Sequence, residues 1–515
     1  MTSGLSTHFT PLDWTVLVAY LLLTTWIGHA LRGNQSTIKD FFLAGRKMPW
    51  PAVCGSIIAT EISALTFIGV PGMIFAANGD MTYLQWGLGS VIARFIVGIS
   101  FVKVFYERGI FSPYDYIQSR LGTGARLLTT CLFFLASVLG QSVRLLVTAL
   151  ILWTVTGLPF TACIILIGLF AILWTLMGGM TTVIWTDVIQ FFIFVGGGLL
   201  ALIILLANLP GGIPEFFRSA AEAGKFRILN LSTNPNAQFT LWVGLLAMPF
   251  QNLAAFGTDQ LNAQRMFCCR NAREASLAII FSSLSLLITL LMLLVGAALY
   301  VHYLHSPPSP AEQAFFQKDP DTVFPVWITT SLPPGLSGLI LAGAFAAAIS
   351  SLDSALAALS QTSLSLIHAK TGLENANQHT LLRQSRLAII AWGIALILTA
   401  ILLQAIRGQI NLISLAFGMV SYTYGPLLGA FLLALSNAKA SVKGVAFGAI
   451  LSIALVAVIR PDLYNIASLL GLISPETAET IRPKINFAWA YPVTCLTTFA
   501  SGLLFNPHSS RKNTP

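Results

Sequence analysis

Long apolar runs separated by short polar connectors govern this sequence from end to end, and each run approaches the twenty or so residues that a helix needs to cross a bilayer. Nothing alternates with period two as barrel strands do, so the pattern predicts helices throughout. About thirteen begin near residues 13, 48, 81, 125, 158, 182, 238, 273, 336, 383, 409, 442 and 486. The segments around 208–237 and 303–335 are polar and proline-bearing and read as long outer loops. Two runs are interrupted in comparable places, the second at Gly69-Val70-Pro71-Gly72 and the seventh at Gly257-Thr258-Asp259-Gln260. Their spacing is that of two five-helix halves of inverted topology, in which the first helix of each half is discontinuous and supplies a binding site near mid-membrane.

One apolar run carries oxygen. Between Ala344 and Ser360 the sequence AFAAAISSLDSALAALS places Ala347, Ser350, Ser351 and Ser354 within an arc of about 100° on one helix face, with Asp353 to the side of it. In hydrocarbon such a face must meet protein, water or an ion. Alone it fits two readings: a seam of small residues where two helices approach closely, or a set of neutral ligands for a hard cation. Charged residues elsewhere fall inside or at the ends of other runs, each costing about 2.5 kcal/mol or more at bilayer depth unless partnered. They are Glu61, Arg94, Arg144 and Asp187. Glu61 suits a functional role or an internal ion pair with Arg94 or Arg144, Asp187 a functional role or a helix cap, and Arg144 a counter-ion or a solute contact.

Composition strengthens the membrane reading. The 515 residues are 56% hydrophobic and 9% charged, where a soluble domain has about 25% charged residues, and mean hydropathy is +0.78. The net charge of +9 does not point to nucleic acid, because the basic residues lie in short connectors instead of on a compact domain. Arg46, Lys47, Lys103, Arg108, Arg265 and Arg270 fall in connectors on one side, and fewer, including Lys225, Arg407 and Arg460, fall in segments on the other. That bias places the N-terminus outside and the C-terminus inside, with a short basic tail from Pro507. Six cysteines show no metal spacing and imply no disulfide, and no start resembling a cleaved signal peptide precedes the first run. No HExxH, serine elbow or soluble catalytic domain argues for an enzyme.

With these features in hand, the chain resembles the sodium:solute symporter family. FFLAGRKMPW, ISALTFIGVPG, GGMTTVIWTDVIQ, QRMFCCRNAREA, SSLDSALAALS and SYTYGPLLGAFLL look like family segments in family order. The resemblance implies an all-α polytopic membrane protein with a LeuT-like core of five-plus-five inverted repeats. In this sequence the parts are an extra N-terminal helix at 13–31, repeats at 48–207 and 238–436, and two C-terminal helices at 442–506, all in one transporter domain. It further implies a sodium site at Ala59, Ile62, Ala347, Ser350 and Ser351, with a possible second at Asp187, Ser350, Asp353 and Ser354. Solute-lining positions would be Glu61, Ser63, Thr66, Gln85 and Asn252, with Arg144 a further candidate. Asp353 stands where some members carry a hydroxyl, and Gly140 and Gly418 stand where sialic acid and sugar carriers carry an arginine and a glutamine.

The resulting expectation is a transporter of the plasma (inner) membrane, in which sodium drives uptake of a small polar organic solute by alternating access. A sugar, polyol or sugar-acid-like compound suits the lining best. Its partners would be the solute, sodium and the bilayer, with no cofactor, nucleic acid or obligate protein partner. The alternatives are proton coupling through Glu61, Asp187 or Asp353, a passive channel, and a membrane-embedded enzyme.

Overall fold

A computed structural model describes residues 9–31, 38–110, 112–176, 179–368, 377–406, 412–436 and 440–505. The expected tail from Pro507 and Arg407 lie outside the described residues. Helices dominate, as they must where no water is available to pair backbone groups; among the described residues the only β-type pairing is one bridge between Met48 and Cys269. The helices are α1 (Pro11–Ala30), α2 (Trp50–Glu61 and Leu65–Phe75), α3 (Met81–Glu107), α4 (Thr123–Thr156), α5 (Phe160–Thr175), α6 (Met180–Ala207) and α7 (Val243–Gly257). They continue as α8 (Ala272–His305), α9 (Leu336–Ile367), α10 (Gln378–Ile406), α11 (Leu412–Leu435), α12 (Val442–Ile459) and α13 (Phe487–Leu504). Among the described residues ten are long and apolar enough to cross a membrane, and the two halves of α2, bent by 57°, make up to eleven. The shorter apolar helices α5 and α7 occupy the remaining two expected places.

The serine-bearing helix α9 is the centre of the bundle. Its most apolar stretch is 94% buried by protein, against 28% for α1 and 33% for α6, α10 and α12, which are far less enclosed. It packs on α1, α4, α6, α10 and the first half of α2. Small residues allow that crowding: a Cβ at Gly338 would meet the Asp13 backbone of α1 at 2.5 Å. Asp13 in turn accepts from the Gly335 and Gly338 amides at 2.8 Å, capping the start of α9 with a carboxylate where the helix dipole favours one.

The long loops expected on the outer side are tied down by groups the sequence reading placed in solvent. Lys225 is fully buried. Its ammonium donates to the carbonyls of Ile74, Ala76 and Gly79 at 2.9, 2.8 and 3.1 Å and sits 4.2 Å from the centre of the Tyr300 ring. It closes the end of α2, whose last carbonyls have no intrahelical donor. Arg460, also read as an outer charge, is buried in a two-pronged pair with Asp462. Both are corrections: each cation leaves water because fixed acceptors meet it inside.

Burial pushes the Lys225 ammonium down from 10.5 to about 8, with Asp80 opposing the shift. An unfolded lysine holds its proton across that window, so the unfolded state binds more protons there and stability rises with pH between the two values. Lys225→Met is expected to abolish this slope. By leaving three carbonyls without their donor it should also cost about 1–3 kcal/mol at neutral pH. Thermal unfolding of purified protein across pH 7 to 10 checks both effects, and a variant with the wild-type midpoint and slope contradicts them.

Candidate functional site

The break in α2 comes earlier than its glycines and proline suggest. The helix ends at Glu61, and Ile62 adopts φ −73° and ψ 104°, an extended conformation. Ser63 restarts the chain: its carbonyl receives the amides of Thr66 and Phe67 at 2.9 and 3.2 Å, and its hydroxyl receives the Leu65 amide at 3.3 Å. Such local bonds let a serine compete with continuous helix. Among the described residues no amide reaches the carbonyls of Ala59 or Ile62, while that of Thr60 receives Arg144 Nη1 at 2.9 Å. Pro71, by contrast, falls in the first turn of an α-helical segment that follows a π-helical turn over Leu65–Gly69. A missing N–H costs little there, so Gly69–Gly72 is not the break. The second expected break is where the sequence put it. α7 ends at Gly257, and Asp259 caps a short helix, Gln260–Phe267, by accepting the Leu261 amide at 2.8 Å.

Opposite the α2 break, the hydroxyls of α9 are ordered by a buried ion pair. Ser350 Oγ donates to Asp187 Oδ1 at 2.5 Å. Asp187 Oδ2 accepts from Ser56 Oγ at 2.5 Å and Arg265 Nη2 at 3.1 Å. Arg265 also donates to Ser56 Oγ at 2.9 Å, to the Leu261 carbonyl at 2.8 Å and to Ser354 Oγ. One guanidinium therefore joins α2, α6, α9 and the short helix after α7. Ser354 Oγ in turn donates a hydrogen bond to Asp353 Oδ1 at 3.1 Å. Ser351 back-bonds to the carbonyls of Ala348 and Ala347 at 3.0 and 3.4 Å, which spends its proton and leaves its lone pairs. Asp187, Ser350, Asp353 and Ser354 are thus brought together as expected, but around Arg265, a residue read from the sequence as a connector charge.

On the other side of the α2 break lies a cavity of about 160 Å³. Glu61, Ser63, Thr66, Arg144 and Asn252 line it, as expected, together with Gln141, Gln251, Asp259, Asn262 and Tyr424. Gln85 does not. It is buried against the outer loop, donating to the carbonyls of Thr82 and Phe239 at 3.3 and 3.2 Å and accepting the Asn230 amide at 3.2 Å. All three bonds are to backbone, so Gln85 is a structural tie.

Of the charged residues that line the cavity, Glu61 is in an internal ion pair. Glu61 faces the fully buried Arg94, which also donates to Ser282 and Ser285 at 3.1 and 3.2 Å and lies 4.2 Å from the centre of the Phe256 ring. Of the two partners foreseen for Glu61, Arg94 holds it, and among the described residues the hydrogen bond of the Arg144 guanidinium goes to the neutral Thr60 carbonyl. At the floor, Asp259 accepts the Tyr424 hydroxyl at 2.7 Å, joining the second broken helix to α11. Position 418 has no room for a side chain, because the Arg460 guanidinium fills it, and a Cβ at Gly140 would meet Val420 at 2.8 Å.

The sodium:solute symporter family model matches residues 41–452. The sodium/sialic acid symporter of Proteus mirabilis is 29% identical over 481 residues, 92% of this chain and 95% of that one. The sodium/glucose cotransporter of Vibrio parahaemolyticus is 29% identical over 83% of this chain and 80% of its own. A solved substrate-bound, outward-open Na+-coupled sialic acid symporter superposes with a TM-score of 0.81 at 26% identity, covering 97% of this chain and 98% of that one.

Arg265→Met would strand the Asp187 carboxylate and is expected to cost about 3–5 kcal/mol, the range for breaking a buried pair from one side. Adding Asp187→Asn should recover part of that loss, since the two groups act as a unit. Thermal unfolding of the single and double variants measures the coupling; a purely additive loss contradicts it.

Proposed function

The chain belongs to the sodium:solute symporter family, and from that premise we propose how it couples sodium to cargo. It is a sodium-coupled secondary active symporter that imports a small polar organic solute by alternating access. Sodium binds between the carbonyls of Ala59, Ile62 and Ala347 and the hydroxyls of Ser350 and Ser351. The solute occupies the cavity lined by Glu61, Ser63, Thr66, Arg144 and Asn252. A sugar, polyol or sugar-acid-like solute suits that mixture of hydroxyl, amide and one guanidinium not matched by a bonded carboxylate, and two relatives are named for sialic acid and glucose.

The observation that carries this reading is the position of the unwound stretch. Residues 60–63 line the cavity, the carbonyls of Ala59 and Ile62 receive no amide among the described residues, and the first half of α2 packs against α9. Ion and solute therefore grip the same few peptide units, and each stabilises the backbone arrangement that the other needs. That reciprocity is what coupling requires. Proton coupling is not favoured, since the family and the relatives named above are sodium-coupled; Glu61 and Asp187 are in addition each committed to a guanidinium, which leaves Asp353 as the carboxylate of the three without one.

The chain is an integral membrane protein. We place it in the plasma (inner) membrane with the N-terminus outside, following the basic bias of its connectors. Its repeats are assigned to 48–207 and 238–436, each beginning with a broken helix. It needs no cofactor in this reading and carries out transport, not catalysis.

In proteoliposomes an inward sodium gradient should concentrate a solute chosen by thermal-shift screening of sugars, sugar acids and amino acids, and a potassium gradient should not. Equal accumulation in both overturns the reading. Ser350→Ala with Ser351→Ala should raise the half-activating sodium concentration about tenfold or more, equivalent to about 1.4 kcal/mol. An unchanged sodium dependence removes the site assignment.

A further inference from the structure

The network around Arg265 does not balance its own charge. Asp187 and Asp353 stand on the adjoining helices α6 and α9, and Arg265 is the cationic side chain bonded into the group. All three are at most 1% exposed. Two carboxylates against one guanidinium leave one negative charge in excess, in a place where an unpartnered charge is costly.

The excess has an address. Both oxygens of Asp187 are taken by Ser350, Ser56 and Arg265. Asp353 is served on one side only, through Oδ1, and its Oδ2 is buried without a hydrogen-bond partner. Two neighbours share that condition. The Tyr20 hydroxyl of α1 and both ends of the Gln190 amide of α6 are buried and unpartnered. The Gln190 side-chain amide lies within reach of the Tyr20 hydroxyl and the Asp353 carboxylate is close enough to act on it electrostatically, which gathers the groups around one spot. Gln190 is three residues beyond Asp187, so it projects from the same face of α6 toward α9. Buried polar atoms in folded proteins are nearly always satisfied, and several orphans together mark a place where a partner belongs.

We propose that the Tyr20 hydroxyl, the Gln190 amide oxygen and Asp353 Oδ2, brought together from α1, α6 and α9, form a second sodium site separate from the Asp187 carboxylate. The donor set is all oxygen with one formal charge, which suits a hard cation. A monovalent ion cancels the excess charge, whereas a divalent one would reverse it. Arg265 already supplies the positive charge beside Asp187, and this displaces the second ion from the Asp187, Ser350 and Ser354 group to the far side of Asp353. The site also gives α1, which lies outside the five-plus-five core, a ligand to contribute. This inference rests on the sodium-coupled reading above and adds an ion to it.

The test counts bound ions with radioactive sodium on the purified, full-length protein, without added solute and with potassium as the competing control. The wild type should bind about two sodium ions per chain, one per oxygen cage. Tyr20→Phe, which keeps the ring and its packing, should weaken one of the two sites about tenfold or more, and Asp353→Asn should remove it. Ser350→Ala with Ser351→Ala should spare that site and weaken the other. A wild-type stoichiometry of one, or two sites unaltered by both Tyr20→Phe and Asp353→Asn, overturns the inference while leaving sodium coupling intact. Should Asp353→Asn fail to fold, Tyr20→Phe decides alone. No saturable sodium binding by the wild type would overturn the coupling itself and the inference with it.

Discussion

A chain crossing hydrocarbon can leave carbonyls without an amide only where something else takes them, and residues 59–62 are where this one does so. The stretch is held on both flanks. Ser63 nucleates the second half of α2 through its own hydroxyl and carbonyl, and Arg144 takes the Thr60 carbonyl. Between them the carbonyls of Ala59 and Ile62 receive no amide among the described residues. The most enclosed helix of the bundle supplies the facing hydroxyls, and enclosure is what lets neutral oxygens compete for an ion that water solvates well.

The ionised groups around this stretch work as fixed scaffolding. Glu61 is neutralised by Arg94, and Asp187 by Arg265, so neither adds a net field to the cavity or the bare carbonyls. The Arg265 guanidinium ties together α2, α6, α9 and the short helix Gln260–Phe267. A buried pair of this kind adds little net stability over an apolar substitute but is expensive to break from one side, so it fixes geometry more than it strengthens the fold. Asp353 is the exception, since its outer oxygen has no such partner. Lys225 and Asp321 serve helix ends in a comparable way. Lys225 closes the end of α2, and Asp321 accepts the Leu412 amide at the start of α11 while its backbone rests on Gly72.

How much of this was legible in the sequence follows from range. The helices could be read because apolar run length is a local signal, and the oxygen face of α9 because helical periodicity is local too. Asp259 at the second break could be seen, since a capping residue announces itself within three positions. What escaped depended on partners distant in the chain. Arg265 looks like any connector charge until Asp187 and Ser56 are known to face it, at sequence separations of 78 and 209. Gln85 resembles a cavity amide until its three backbone partners appear. Lys225 and Arg460 count toward topology as solvated cations, whereas carbonyls and a carboxylate had drawn them inside. The α2 break was misplaced because Gly and Pro are loud signals, while the actual interruption at Ile62–Ser63 rests on a serine's local bonding, which sequence registers weakly.

The central claim is that residues 59–62 present bare carbonyls to Ser350 and Ser351 so that sodium can bridge them. A high-resolution cryo-electron microscopy map of the protein in sodium, paired with one in a large organic cation, tests this most directly. The account predicts compact density among the Ala59, Ile62 and Ala347 carbonyls and the two hydroxyls in sodium, and a separation of α2 from α9 without it. A map in which residues 59–64 form continuous helix, or in which side chains fill that space in both conditions, would contradict it.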